Sequence, residues 1–195
     1  FRSYAENFYS VLPTDGLSDD RPNVCITFDD GYKDFGDVAL PLLKEFDLKV
    51  ILAISPRLTE ENKNGEYLSY KELSTLLEYK NLEIASHGMS HTPILESGHA
   101  ALEAKESKRA IVDNLAINPR CFVYPYGKFT VEAHREIKKE FDFVFRIGGA
   151  ANIGWGQEML YRFSADNVEN PEGMFGVYKK INYGLKLALN MVRGL

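Results

Sequence analysis

Val24-Cys25-Ile26-Thr27-Phe28-Asp29-Asp30-Gly31 is a short apolar run that stops on two adjacent carboxylates and a glycine. A run this short, bounded by turn formers, reads as a buried strand. Downstream, residues 34–46 carry apolar side chains at 35, 38, 39, 42, 43 and 46, a helical stripe. Val50–Ile54 is β-branched and does not alternate with polar residues, as in a parallel strand covered on both faces. Ser69, with Glu72 three residues on, is a capping-box signature that opens a helix over 69–79. A strand at 82–85 and a helix at 100–115 follow, the latter with Glu103, Lys105, Glu106, Lys108 and Arg109 on a charged face. A strand at 121–124, a helix at 130–140 and a strand at 143–145 come next. Strands alternating with helices predict a parallel α/β architecture with right-handed crossovers.

The chain has 195 residues, enough for one domain with a proper core, and we expect a single catalytic domain over 1–195. Its net charge of −5 argues against a nucleic-acid partner. No stretch approaches the roughly 18 apolar residues of a membrane helix. Cys25 and Cys121 sit in apolar runs and read as small buried hydrophobes rather than a disulfide.

The polar residues fall just after strands. Asp29 and Asp30 follow the first, and Ser86-His87-Gly88-Met89-Ser90-His91 follows the strand at 82–85. Two of the four histidines therefore lie four positions apart, a spacing that puts both on one face of a helix. Taken alone, paired Asp residues are often a turn or a helix cap, and a lone His pair is weak evidence. Together they are the ligand types that suit zinc and its neighbours. Three such ligands leave a coordination position open to water, and a second carboxylate beside them can take a proton. The inventory reads as a metal-dependent hydrolase. In parallel α/β barrels the loops after the strands build the active site, so these distant segments can meet on one rim.

Thr27-Phe28-Asp29-Asp30-Gly31-Tyr32, Ser86-His87-x-x-x-His91 and Phe122-Val123-Tyr124-Pro125-Tyr126-Gly127 resemble the first three motifs of the polysaccharide deacetylases, carbohydrate esterase family four. The Tyr-Pro-Tyr-Gly form is similar to that of one subgroup. The resemblance spans about residues 24–163. It implies an α/β fold, a distorted (β/α) barrel with about seven parallel strands. It implies removal of N-acetyl groups from sugars of a polysaccharide or glycan, with a divalent metal, zinc first among them. Asp30, His87 and His91 would then be the metal ligands, and Asp29 the general base. The backbone N–H of Tyr126 would help hold the oxyanion. Many relatives carry an Arg where Val123 stands. Arg162 is the candidate to supply that charge from a later strand, against the plainer reading of an ordinary ion pair.

No His follows His134, and none precedes Asp29. The family's acid His would therefore lie upstream of Phe1, or another acid serves. His99 and His134 are both expected to face water. Two alternatives stand beside deacetylation: a catalytically impaired carbohydrate-binding relative, and hydrolysis of another C–N or an O-acetyl bond. The resemblance favours the cell envelope or secretion, with the cytoplasm as the alternative. The last segment carries Lys179, Lys180, Lys186 and Arg193, with Ile181, Leu185, Ala188, Leu189 and Val192 at helical spacing. Such a helix is expected to dock its stripe on the barrel, the alternative being contact with an anionic membrane surface.

Overall fold

The computed structural model describes residues 1–18, 20–62, 64–165, 183, 185–188, 190 and 191. After helix α1 (Arg2–Asn7), strands β1 (Tyr9–Ser10) and β2 (Asn23–Val24) form a small parallel pair. The main sheet holds β3 (Ile26–Phe28), β4 (Val50–Ile54), β5 (Leu82–Ser86), β6 (Cys121–Val123), β7 (Phe143–Ile147) and β8 (Leu160–Arg162), hydrogen-bonded in chain order and all parallel. It is a curled half-barrel with helices outside, consistent with the distorted (β/α) barrel. Six strands among the described residues form it, beside an expected number of about seven.

The run at 24–28 is divided: Val24 belongs to the small pair, and the main sheet begins at Ile26. β4 is buried along its whole length. Val50, Leu52 and Ile54 pack outward with Leu43, Leu73 and Ile111. Ile51 and Ala53 face inward with Ala85, Cys121, Val123 and Phe145. That two-sided burial explains why its sequence does not alternate. Both cysteines are free thiols, Cys121 fully buried and Cys25 half-buried.

The stripe at 34–46 folds as a π-helical turn (Phe35–Ala39) running into α2 (Leu40–Glu45). A short α3 (Pro56–Glu60) follows β4. α4 (Tyr70–Leu76) opens with the expected capping box: Ser69 Oγ accepts from Glu72 N–H at 3.3 Å, and Glu72 Oε2 accepts from Ser69 N–H at 2.8 Å. Ser69's hydroxyl and N–H hold the Glu72 carboxyl below its usual range. This stabilisation is therefore present above the unfolded carboxylate value and is lost as pH falls through the folded one. Ser69→Ala is expected to cost about 1 kcal/mol near neutrality. Urea unfolding midpoints should show the difference shrink below about pH 4.

α5 (Ser97–Leu115) and α6 (Val131–Ile137) pack on the outer face of the sheet. Two expectations fail here. Glu103 is not on a solvated face but only 5% exposed. His134 does not face water: it is 2% exposed, its Nδ1 3.0 Å from the Tyr124 hydroxyl and its Nε2 3.3 Å from Glu158. The cause of both is the same: these side chains have polar partners beneath the helices, so a polar residue can take an inward position.

Residues 183, 185–188, 190 and 191 are helical. The docked face differs from the expected stripe, because Tyr183 and Leu187, four apart, make the contact. Tyr183 lies against Phe163 with ring centroids 4.5 Å apart, and Leu187 is buried with Ala150 and Met159. Leu185 and Ala188, which were expected to be buried, are exposed. Ile181, Leu189 and Val192 lie outside the described residues. Among the described residues no helix is long and apolar enough to cross a membrane.

Candidate active site

The carboxyl ends of β3, β5, β6 and β8 bring every candidate residue to one rim. Asp29 and Asp30 follow β3, and Asp30 and Gly31 both have left-handed backbones, with φ of 69° and 73°. The turn is tight enough that a Cβ on Gly31 would sit 3.0 Å from Ile54. This reversal sends the two neighbouring carboxylates to different partners.

Asp30 faces His87 and His91. Its Oδ1 lies 2.9 Å from His91 Nε2 and 3.5 Å from His87 Nε2. The donor atoms of the three residues fall within 4.8 Å of one another. Asp30 Oδ1 is buried and makes no hydrogen bond, although an imidazole nitrogen is so close. Atoms that share a cation in a tetrahedral site, at bond lengths near 2.1 Å, are about 3.4 Å apart. Such atoms aim lone pairs at a common point rather than protons at each other. The geometry fits a divalent ion.

The tautomer of His87 fits as well. His87 Nδ1 lies 2.7 Å from the carbonyl oxygen of Val123, so it carries the proton and leaves Nε2 as a lone-pair donor. Burial lowers the proton affinity of His87, which keeps it neutral as a ligand must be. His91 is shifted upward by the Asp30 carboxylate in polar contact with its Nε2. Its Nδ1 is 3.3 Å from the Tyr126 hydroxyl.

The two histidines do not share a helical face. β5 ends at Ser86, and residues 87–91 form a loop with φ of 76° at Gly88 and 53° at His91. The loop, rather than a helical turn, brings the rings to a centroid separation of 5.0 Å.

Asp29 turns the other way. Arg162 grips it through two hydrogen bonds, Nη1 to Oδ1 at 2.7 Å and Nη2 to Oδ2 at 2.8 Å. Nη1 also donates to Thr27 Oγ1 at 2.8 Å. Burial alone would raise the Asp29 carboxyl, but the guanidinium's hydrogen bonds and charge outweigh it and hold the group below its usual range. Asp29 Oδ2 remains 3.9 Å from His87 Nε2, alongside the cluster.

After β6, Pro125–Gly127 makes a single 3₁₀ turn in which Tyr126 is left-handed, with φ 57°. The turn's hydrogen bonds are donated by Gly127 to Tyr124 and by Lys128 to Pro125, so Tyr126 N–H lies outside them. A Cβ on Gly127, itself at φ 63°, would press within 3.3 Å of the Ile147 carbonyl oxygen. A strained non-glycine backbone held this firmly is a common mark of a functional site.

Of the other histidines, His99 is half-buried with Nε2 2.9 Å from Thr92 Oγ1, and His134 is held by Tyr124 and Glu158.

The rim of carboxylates and imidazoles on a parallel half-barrel defines a hydrolase-like class, and comparison with known proteins supports it. The family model for polysaccharide deacetylase matches residues 17–144, and the chain belongs to that family. Comparison with curated protein sequences gives no match. Among solved structures, the chain is similar to the Streptococcus pyogenes deacetylase PplD in complex with acetate, at 22% identity and TM-score 0.74, covering 83% of this chain and 76% of that one. It is also similar to a de-N-acetylase from Aggregatibacter actinomycetemcomitans, at 18% identity and TM-score 0.75, covering 93% and 84%. IcaB from Ammonifex degensii is similar at 17% identity and TM-score 0.72, covering 92% and 88%. At these identities the likeness shows the fold.

Proposed function

We propose that this chain is a zinc-dependent deacetylase that removes N-acetyl groups from the sugars of a polysaccharide or glycan. The observation that carries this reading is the division of labour between adjacent carboxylates. Asp30 joins two imidazoles, while Asp29 is held ionised beside them by Arg162.

Asp30, His87 and His91 would hold the ion. When bound, a zinc ion polarises an amide carbonyl and makes a nearby water more acidic. Asp29 then takes the proton from that water. A carboxylate held below its usual range is a weak base, and it suits a water already acidified at a cation. Arg162 fixes the direction of the Asp29 oxygens and keeps them anionic. Tyr126 N–H stabilises the negative oxygen that develops as the acetamide is attacked. The His91–Tyr126 contact links the cluster to that turn.

A glycan substrate is supported by aromatic faces beside the site. Tyr32, two residues past Asp30, stacks on Tyr67 with centroids 5.0 Å apart and stays 45% exposed. Tyr126 is 61% exposed. An apolar ring face with a polar edge suits a sugar ring. Membership of the polysaccharide deacetylase family favours the cell envelope or secretion, with the cytoplasm as the alternative.

Acetate release from N-acetylated glycans tests the reading. Activity is expected with zinc, is lost on chelation and returns when zinc is restored. Glycan binding without acetate release would instead identify a binding relative.

A further inference from the structure

The loop that carries His91 is tied down from behind. Glu103, on α5, accepts the backbone N–H of Met89 at 2.7 Å and of Ser90 at 3.0 Å, both on Oε2. Its Oε1 accepts the Ser90 hydroxyl at 2.5 Å. One turn further along the same helix, Ser107 Oγ lies 2.7 Å from Ser86 Oγ, which in turn accepts Gly88 N–H at 3.2 Å. The loop fits so closely over the carboxylate that a Cβ on Gly88 would come within 2.8 Å of Oε2.

Glu103 is 5% exposed, and among the described residues no Lys or Arg pairs with it. A buried carboxylate without a counter-cation is costly unless donors surround it. Here the donors come from the two residues immediately before His91. Those donors fix the path of a segment whose Gly88 and His91 backbones are both left-handed.

We propose that Glu103 is a positioning residue: it clamps the 88–90 loop so that His91 meets Asp30 and His87 in ligand geometry. It touches neither substrate nor the reacting groups and acts through His91. The proposal deepens the metal-site reading above and rests on it.

The test compares the full chain with Glu103→Ala, Glu103→Gln and Ser90→Ala. Amide hydrogen exchange of the metal-free proteins reads the clamp itself, and zinc affinity by chelator competition reads its transmission to the site. Glu103→Ala is expected to lose protection at Met89 and Ser90 and to bind zinc about 10–100-fold more weakly, the usual effect of removing a group that orients a ligand. Glu103→Gln keeps an acceptor oxygen for both N–H groups and should restore affinity to within about threefold of the native chain. A merely structural role would lower the melting temperature and leave zinc affinity unchanged, and that result overturns the proposal. Should Glu103→Ala not fold, Ser90→Ala removes one of the three donors; native zinc affinity there is equally fatal. A native chain that binds no zinc overturns the proposed function instead. In that case unchanged protection in Glu103→Ala overturns the clamp separately.

Discussion

Asp29→Asn is expected to keep its zinc and to lose acetate release by about 10²–10⁴-fold, the usual worth of a positioned general base. The substitution is nearly isosteric. One amide oxygen can still accept from Arg162, and Asp30, His87 and His91 are untouched, so metal content should match the native chain. The capacity to take a proton is gone, together with one of the two hydrogen bonds from Arg162. Steady-state acetate release and metal analysis on the same preparation check both halves. A near-native rate would remove Asp29 from its role, and loss of zinc would show that it belongs to the ligand set instead. Arg162→Gln should lower the rate in the same direction, because the base then loses two hydrogen bonds that orient it.

The second large effect is at the ligands. His87→Ala with His91→Ala leaves Asp30 alone, and one carboxylate does not retain zinc against a competing chelator. Zinc content should fall below about a tenth of stoichiometric, and acetate release should drop by on the order of 10³-fold or more, since the ion's charge stabilisation is worth several kcal/mol. Stoichiometric zinc in the double variant would place the site elsewhere.

The parts of the molecule legible from sequence are those where one physical demand dominates. β4 was readable because burial on both faces permits only apolar residues. The cap of α4 was readable because Ser69 and Glu72 satisfy each other locally. Asp29, Asp30, His87 and His91 stood out because their residue types are expensive to cluster without a purpose.

What the sequence concealed depends on tertiary partners. The spacing of His87 and His91 suggested a helix, yet the chain uses left-handed residues, which periodicity does not register. Glu103 looked like one more charge on a solvated face, since the N–H groups that surround it belong to a loop 13 and 14 residues away. His134 was misplaced for the same reason, its partners being Tyr124 and Glu158. Arg162 could be nominated from the missing charge at Val123, but not placed. Its strand has three residues, and the family match ends at residue 144, before it begins.

Arg162 has one more consequence. Asp29 follows β3 and Arg162 ends β8, the opposite edges of the main sheet, and the guanidinium spans the gap between them to reach both Asp29 and Thr27. Asp29, the proposed base, is thus gripped by Arg162 only in a chain whose first and last strands of the main sheet have already found each other, the two residues being 133 apart in sequence. A nascent or clipped chain without β8 would carry Asp30, His87 and His91, the proposed ligands, and lack the guanidinium that orients Asp29. If the proposed function holds, a full rate of turnover would report that the barrel has finished assembling, by way of a single arginine.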